Sequence, residues 1–391
     1  AWLIQYSYFI GYDGAYYARV GENIFSGKGV SANVDEPYTR KPSFYPFLIG
    51  LANFLFKDSE FSAHLISVLA FALSVIPLYL LARRIYSDEA AHWASFLFVT
   101  NGYLHLYANL ALPESVFTFL ILILLYLLHQ TIQDPAPPLA SGLFVGAAGG
   151  LAFLTRPEGL LFYGAAVLAL ALAGSKSLRL KAGILALSLA GFLVFSTPYL
   201  WFLYRNTGRT QLGDAVTEIL IRRQLDLTHP DQYLEIKKMY QWLTEDKKRI
   251  KIDELTEKFS LLEILGKDDF ALLRSLPLSF LHRLLNLNNY FFGGLGFFLM
   301  GAGFLGVPWS AQRKRSELLL LLFFSTLLFQ ALGEYLPKRY FFYFPILLLW
   351  MGKGIEVFGH WAQESFHGGK VKSSFMALGL CLILAAVSGA Y

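Results

Sequence analysis

FSAHLISVLAFALSVIPLYLLA, residues 61–82, runs for 22 residues without one Asp, Glu, Lys or Arg, and Arg83-Arg84 follow it directly. A helix that crosses hydrocarbon needs about 20 mostly apolar residues, because nothing in the bilayer core satisfies an exposed backbone group. This run meets that need, so the chain reads as a membrane protein. Nine similar runs follow at 91–107, 115–129, 139–154, 160–173, 182–204, 284–307, 318–332, 340–351 and 374–391. Residues 1–10 are apolar but too short to span, and read as the end of a first helix whose start is missing. About eleven spans result. No basic stretch or cleavage site precedes the apolar start, so no cleavable signal peptide is expected.

Composition agrees with the spans. Hydrophobic residues make up 55% of the 391 and charged residues 16%, where a soluble globular chain carries about 25% charged residues. Of the 61 charged residues, 27 fall within 205–283, which marks a single polar insert of mainly helical pattern. This divides the chain into a transmembrane module (1–204) with a first outer loop at 11–60, the insert (205–283), and C-terminal transmembrane helices (284–391). The net charge of +5 is scattered over loops, which excludes a nucleic-acid binder; the apolar content excludes a disordered chain. Cys381 is the one cysteine, so no intrachain disulfide forms.

Basic residues in short loops mark the cytoplasmic side. Arg83-Arg84, then Lys176, Arg179 and Lys181, then Arg313 to Arg315, then Lys370 and Lys372 occupy alternate loops. The loop 134–138 belongs to this set but holds no Lys or Arg. The opposite set, 11–60, 108–114, 155–159, 205–283 and 334–339, faces the exterior or periplasm. A transporter places Asp, Glu, Lys or Arg near the midplane, and here these residues are absent from the middle of every span. The chemistry therefore belongs to the outer rim.

That rim carries several candidate residues. Asp13, in Tyr12-Asp13-Gly14-Ala15-Tyr16-Tyr17-Ala18-Arg19, reads equally as a helix N-cap or as a general base beside the membrane. Arg40 and Lys41 precede an apolar stretch, 43–56, too short to span and suited to the interface. They serve either as headgroup anchors or as a phosphate clamp. Glu114 follows Pro113 at a helix start. Arg156 and Glu158 lie in a tight outer turn, Leu154-Thr155-Arg156-Pro157-Glu158-Gly159, where a buried Arg must face water or an anion. Arg339 precedes Tyr340 at the interface. His105 stands near a span end, and Tyr17 adjoins the first acid. No P-loop or dinucleotide glycine pattern appears, so no nucleotide cofactor is expected.

In the order Asp13…Tyr17-Ala18, Arg40-Lys41-Pro42, Leu80-Leu81-Ala82-Arg83-Arg84, Leu110-Ala111-Leu112-Pro113-Glu114 and Leu154-Thr155-Arg156-Pro157-Glu158-Gly159, the chain resembles the GT-C membrane glycosyltransferases. The likeness is to the branch of protein O-mannosyltransferases and the lipid A aminoarabinose transferase. It implies an all-α polytopic GT-C fold with juxtamembrane helices in the first outer loop. It also implies an integral inner-membrane enzyme, its site facing the periplasm, that moves a sugar with inversion from a polyprenyl-phosphate donor to a hydroxyl of a glycan, lipid or protein. Asp13 carries over as the catalytic carboxylate, and Lys41, Arg156 and Arg339 as ligands of the donor phosphate. Glu114 becomes a second carboxylate, for the acceptor or for a divalent metal shared with Asp13; Tyr17, Arg40, His105 and Glu158 line the site. Two departures stand out. Many relatives have Asp-Glu where this chain has Asp13-Gly14, and the aminoarabinose branch has a basic residue in place of Tyr16. The rivals are a lipid or glycolipid flippase and a glycolipid-binding protein without turnover.

Overall fold

The computed structural model describes residues 10–33, 36–39, 41–172, 176–208, 273–285, 293–332 and 337–365, with Arg223, Leu227, Ala271 and Gly379 as single positions. Most of the 205–283 insert, the opening apolar run and the expected span 374–391 lie outside the described residues.

The first outer loop folds as two short helices and a small hairpin. Helix α1 (Tyr12–Phe25) starts after an extended Gly11, with Asp13 in its first turn, where unsatisfied N–H groups favour negative charge. Strands β1 (Ser31–Asn33) and β2 (Glu36–Pro37) pair antiparallel. Helix α2 (Phe44–Phe56) buries Tyr45, Ile49 and Ala52 at helical spacing while Phe47, Leu51, Phe54 and Leu55 stay exposed. A helix apolar on both faces suits the interface expected for it. The two helices cross in backbone contact, because a Cβ on Gly21 would lie 2.6 Å from the Pro46 carbonyl and one on Gly50 would strike the Gly21 carbonyl.

The bundle proper begins at α3 (Ser59–Ile85), whose Asp58 cap accepts from the Phe61 N–H at 2.9 Å and whose last turn holds Arg83 and Arg84. The expected single span 91–107 is instead two helices, α4 (Asp88–Thr100) and α5 (Gly102–Ala108). Asn101 causes the break: its backbone is extended (φ −73°, ψ 116°) and its side chain accepts from the Leu104 N–H at 3.0 Å, starting a new helix rather than continuing the old one. Helix α6 (Glu114–Gln133) is the central rod. Helices α7 (Ala140–Thr155) and α8 (Gly159–Leu172) meet at the tight turn, and α9 (Leu178–Thr207) lies along α7. The C-terminal part comprises α10 (Gly293–Leu305), α11 (Ala311–Ala331), a 3-10 segment (Pro337–Tyr343) and α12 (Phe344–Ser365).

Among the described residues, the segments Ser59–Ile85, Glu114–Gln133, Leu178–Thr207 and Tyr340–Ser365 are long and apolar enough to cross a membrane. Phe44–Phe56, Ala140–Thr155, Gly159–Leu172 and Gly294–Leu305 are apolar but shorter.

Two other span boundaries need correction. Arg313, expected in a loop, lies in the first turn of α11, and α12 continues beyond Met351 to Ser365. Helix interiors therefore hold charge. Glu317 is fully buried and accepts from Arg313 Nε (3.2 Å), Tyr86 (2.8 Å) and Trp350 Nε1 (2.8 Å). Glu356 accepts from Lys353 (2.6 Å) and Ser87 (2.5 Å). Each acid meets its own cation, which is what makes burial tolerable.

Candidate active site

Three loop segments deliver charged side chains to one end of the bundle. From the first outer loop come Asp13, at the second position of α1, and Lys41, just ahead of α2. Lys41 Nζ donates to Asp13 Oδ1 at 2.7 Å. Asp13 is therefore no N-cap: that position belongs to Gly11, which makes no side-chain capping bond. The ammonium also lies 4.9 Å from the centre of the Tyr17 ring, a cation–π contact that holds it over α1.

The second segment, 109–113, ends at Glu114. His64 Nδ1 donates to the Asn109 carbonyl at 2.7 Å, and Ser67 donates to the Leu112 carbonyl at 3.1 Å, with the Tyr45 hydroxyl 2.8 Å from the same Ser67 oxygen. Helices α2 and α3 thus fix where α6 begins. Glu114 is only 1% exposed, and its Oε2 has no hydrogen-bond partner among the described residues.

The third segment is the turn between α7 and α8. Arg156 Nη1 donates to Glu114 Oε1 at 2.6 Å, while Nη2 and Nε donate to the two oxygens of Glu158 at 3.0 and 3.4 Å. Its guanidinium rests 5.8 Å from the Phe342 ring centre. Burial pulls the Arg156 pKa down, but Glu158 and Glu114 outweigh it and leave the pKa raised.

Tyr17 links the three. It is buried, edge-on to Tyr45 with ring centres 5.2 Å apart. Burial, then the charges of Tyr38, Asp13 and Glu114, push its phenol well above the ordinary value, with Arg156 opposing. Gly14, next to Asp13, packs so close to the 109–113 segment that a Cβ there would lie 2.9 Å from the Ala111 carbonyl, so the two ion pairs are neighbours.

The structure thus brings together Asp13, Lys41, Glu114, Arg156, Glu158 and Tyr17. It does not bring in His105, whose Nε2 donates to the Val99 carbonyl across the Asn101 break and whose ring stands edge-on to Phe71 at 5.3 Å. Arg40 and the side chain of Arg339 lie outside the described residues. Sequence reading missed Arg283, which is buried and donates to the Tyr340 hydroxyl at 2.9 Å. It had been the last charge of a polar insert, with no local signal that it turns inward.

Among the described residues no three of His, Cys, Asp or Glu gather where they could hold a metal ion. Asp13 and Glu114 each face a cation, Lys41 and Arg156 respectively.

Known proteins resemble this chain in sequence and fold. Residues 40–201 match the family model described as dolichyl-phosphate-mannose-protein mannosyltransferase. The chain is 29% identical over 168 residues to the undecaprenyl phosphate-alpha-4-amino-4-deoxy-L-arabinose arabinosyl transferase of Pseudomonas savastanoi pv. phaseolicola, a match covering 40% of this chain and 31% of that protein. Among solved structures, ArnT from Cupriavidus metallidurans bound to undecaprenyl phosphate matches with a TM-score of 0.54 and 15% identity, over 97% of this chain and 70% of that one. The Archaeoglobus fulgidus oligosaccharyltransferase in complex with zinc and sulfate matches with a TM-score of 0.59 and 16% identity, over 97% of this chain and 48% of that one. The chain therefore carries the fold of the GT-C membrane glycosyltransferases, and each of these relatives is a sugar transferase.

Proposed function

We propose that this protein is a membrane glycosyltransferase that moves a sugar from a polyprenyl-phosphate donor to an acceptor hydroxyl at the outer face, with inversion. The observation that carries the reading is the Lys41–Asp13 pair beside the Glu114–Arg156–Glu158 cluster, gathered around Tyr17. Asp13 takes the proton of the acceptor hydroxyl. The acceptor oxygen bonds to the anomeric carbon as the bond from that carbon to the phosphate oxygen breaks on the opposite face. The electron pair stays with the departing polyprenyl phosphate, which needs cations rather than a proton.

Charge counting gives the order of events. Asp13, Glu114 and Glu158 set three negative charges against the two positive charges of Lys41 and Arg156. An arriving phosphate competes with Asp13 for Lys41, and that exchange both neutralises the donor and releases the base. Arg156 stays in place: of a guanidinium's five N–H groups, three are used on Glu114 and Glu158 among the described residues, and the others are available to the phosphate. Glu114 and Glu158 hold that fork in register.

Asp13→Asn tests the assignment in reconstituted protein given a polyprenyl-phosphate donor with labelled sugar. Transfer should fall by about 10²- to 10⁴-fold, while donor binding stays equal or tightens because Lys41 no longer has a carboxylate to leave. Wild-type turnover in this variant would show that Asp13 is not the base. Labelled lipid crossing between leaflets without a new glycosidic bond would favour a flippase.

A further inference from the structure

The segment that leads into α2 runs beside α1 in the opposite direction, and the two meet in successive rungs. Lys41 donates to Asp13 at 2.7 Å. Three residues further along α1 and three back along the lead-in, the rings of Tyr16 and Tyr38 lie nearly parallel, at 22° with centres 6.1 Å apart, an offset stack. Beyond them Arg19 Nε donates to the Ala32 carbonyl at 3.2 Å and Asn23 to the Ser31 carbonyl at 2.8 Å, and the Tyr38 N–H donates to the Val30 carbonyl at 2.8 Å. The hairpin therefore fixes Tyr38 against α1. At about 1.5 Å of rise per residue the tyrosine rung stands roughly 4.5 Å along α1 from the carboxylate, a step comparable to the width of a sugar ring.

The rung also lies on the open side of the base. An α-helix turns about 100° per residue, so Gly14 stands about 100° round α1 from Asp13 in one sense and Tyr16 about 60° in the other. Gly14 packs on the Ala111 carbonyl, in the segment that ends at Glu114. Asp13 thus stands between the Glu114–Arg156 cluster and the tyrosines. The Asp13 side chain is 36% exposed where Glu114 is 1% exposed, and Tyr16 and Tyr38 are each half-buried. With the donor phosphate at Lys41 and Arg156, an acceptor that attacks from the opposite face comes in past the two rings.

Resting on the glycosyltransferase reading above, we propose that Tyr16 and Tyr38 form the platform on which a sugar ring of the acceptor lies, so that the hydroxyl facing Asp13 belongs to a glycan and not to a Ser or Thr side chain. One face of a pyranose is lined with C–H bonds, whose slight positive charge suits the negative face of an aromatic ring. Its hydroxyls project from the rim, where one can reach the carboxylate a rung away. A Ser or Thr side chain brings no such face.

Reconstituted full chain, given a polyprenyl-phosphate donor with labelled sugar, is offered octyl glycosides of mannose, glucose and galactose, or a peptide rich in Ser and Thr. Label should pass to a glycoside. Tyr16→Ala and Tyr38→Ala should each raise the glycoside KM roughly three- to tenfold, with smaller changes in kcat and donor binding. Tyr16→Phe, which keeps the ring, should hold KM near that of the unsubstituted protein. Transfer to the peptide equal to or above that to the glycosides overturns the proposal. A glycoside KM unmoved by both Ala variants overturns it too, whether or not kcat falls, since a stack that only braces α1 would cost kcat and donor binding instead. If an Ala variant fails to fold, Tyr16→Leu takes its place, keeping bulk without the aromatic face, and an unaltered KM there refutes the platform. If neither acceptor is labelled, saturation-transfer NMR with the same glycosides decides. Contact along the ring C–H protons that both Ala variants lose supports the platform in a glycan binder without turnover, and no such contact overturns it.

Discussion

Arg156 answers to two carboxylates through different edges of one planar group, and that geometry separates it from Lys41. Arg156→Lys keeps the charge but loses the fork, leaving Glu114 or Glu158 without its bond. For Glu114, buried to 1% exposure, the penalty approaches that of an unpaired buried charge, about 3–5 kcal/mol, measurable as a lowered melting temperature together with lost transfer. Lys41→Arg needs only charge and reach, and should retain most transfer. Equal tolerance of both exchanges in a transfer assay would contradict a bidentate role for Arg156. Tyr17 makes a different prediction. Its raised phenol stays protonated well past the ordinary value of about 10, so Tyr17→Phe should leave the alkaline limb of the pH–rate profile where it is; a shifted limb would mean that the phenol titrates during turnover. Much of this site was legible in the sequence, because Asp13, Lys41, Glu114 and Arg156 all fall in short polar interruptions of apolar runs. What could not be read was pairing. The spacing at Asp13 fitted a helix cap equally well, and only the fold shows Lys41 on its carboxylate. Hydropathy places His105 near a rim but cannot reveal its bond to the Val99 carbonyl across the Asn101 break.

At the scale of elements, the crossing of α1 and α2 depends on absent side chains. Gly50→Val would drive a branched side chain into the Gly21 carbonyl and the Phe25 ring, separating Asp13 from Lys41. Transfer should fall together with thermal stability, whereas Gly164→Ala, in open space on α8, should change neither. Gly14 has a related role: a Cβ there would lie 2.9 Å from the Ala111 carbonyl, so the chain cannot hold the Glu that many GT-C proteins have at this position without moving the 109–113 segment. The polar network between α11, α12 and α3–α4 was hidden from a hydropathy reading, because Arg313 and Glu317 are an i,i+4 pair and look like the edge of a loop. Glu317→Leu alone should destabilise by about 3–5 kcal/mol, since it strands Arg313, while adding Arg313→Met should recover much of that loss. Thermal melts of the single and double variants measure this; a double variant no more stable than the single would deny the pairing.

Across the whole molecule, direction of travel fixes which parts share a side. Gly142, Gly146 and Gly150 of α7 abut Ile184, Ser188 and Phe192 of α9 in the same order, so the two helices run parallel. Thr155 and Thr207 therefore emerge at the same end, and the polar insert that follows α9 starts on the side of Asp13. With Cys381 replaced by Ser, cysteines introduced at Lys28 and Asn206 should react with a membrane-impermeant maleimide from the same side; labelling from opposite sides would reverse the insert. Helix α2 ends in exposed apolar side chains. Phe54 and Leu55, near its C-terminal end, are each 74% exposed, and each such side chain gains roughly 1.5–3 kcal/mol on entering an apolar phase. In a bilayer the helix should therefore work as a float. Lys41 precedes its first turn, so the groups proposed to react should stay at the waterline of the leaflet even where bilayer thickness changes around the bundle. Replacing both residues with Ser should leave transfer intact in detergent, where the waterline follows the protein, and reduce it in liposomes, most of all in thick ones. Equal loss in both settings would mean that the bundle alone sets the depth at which the sugar is handed over.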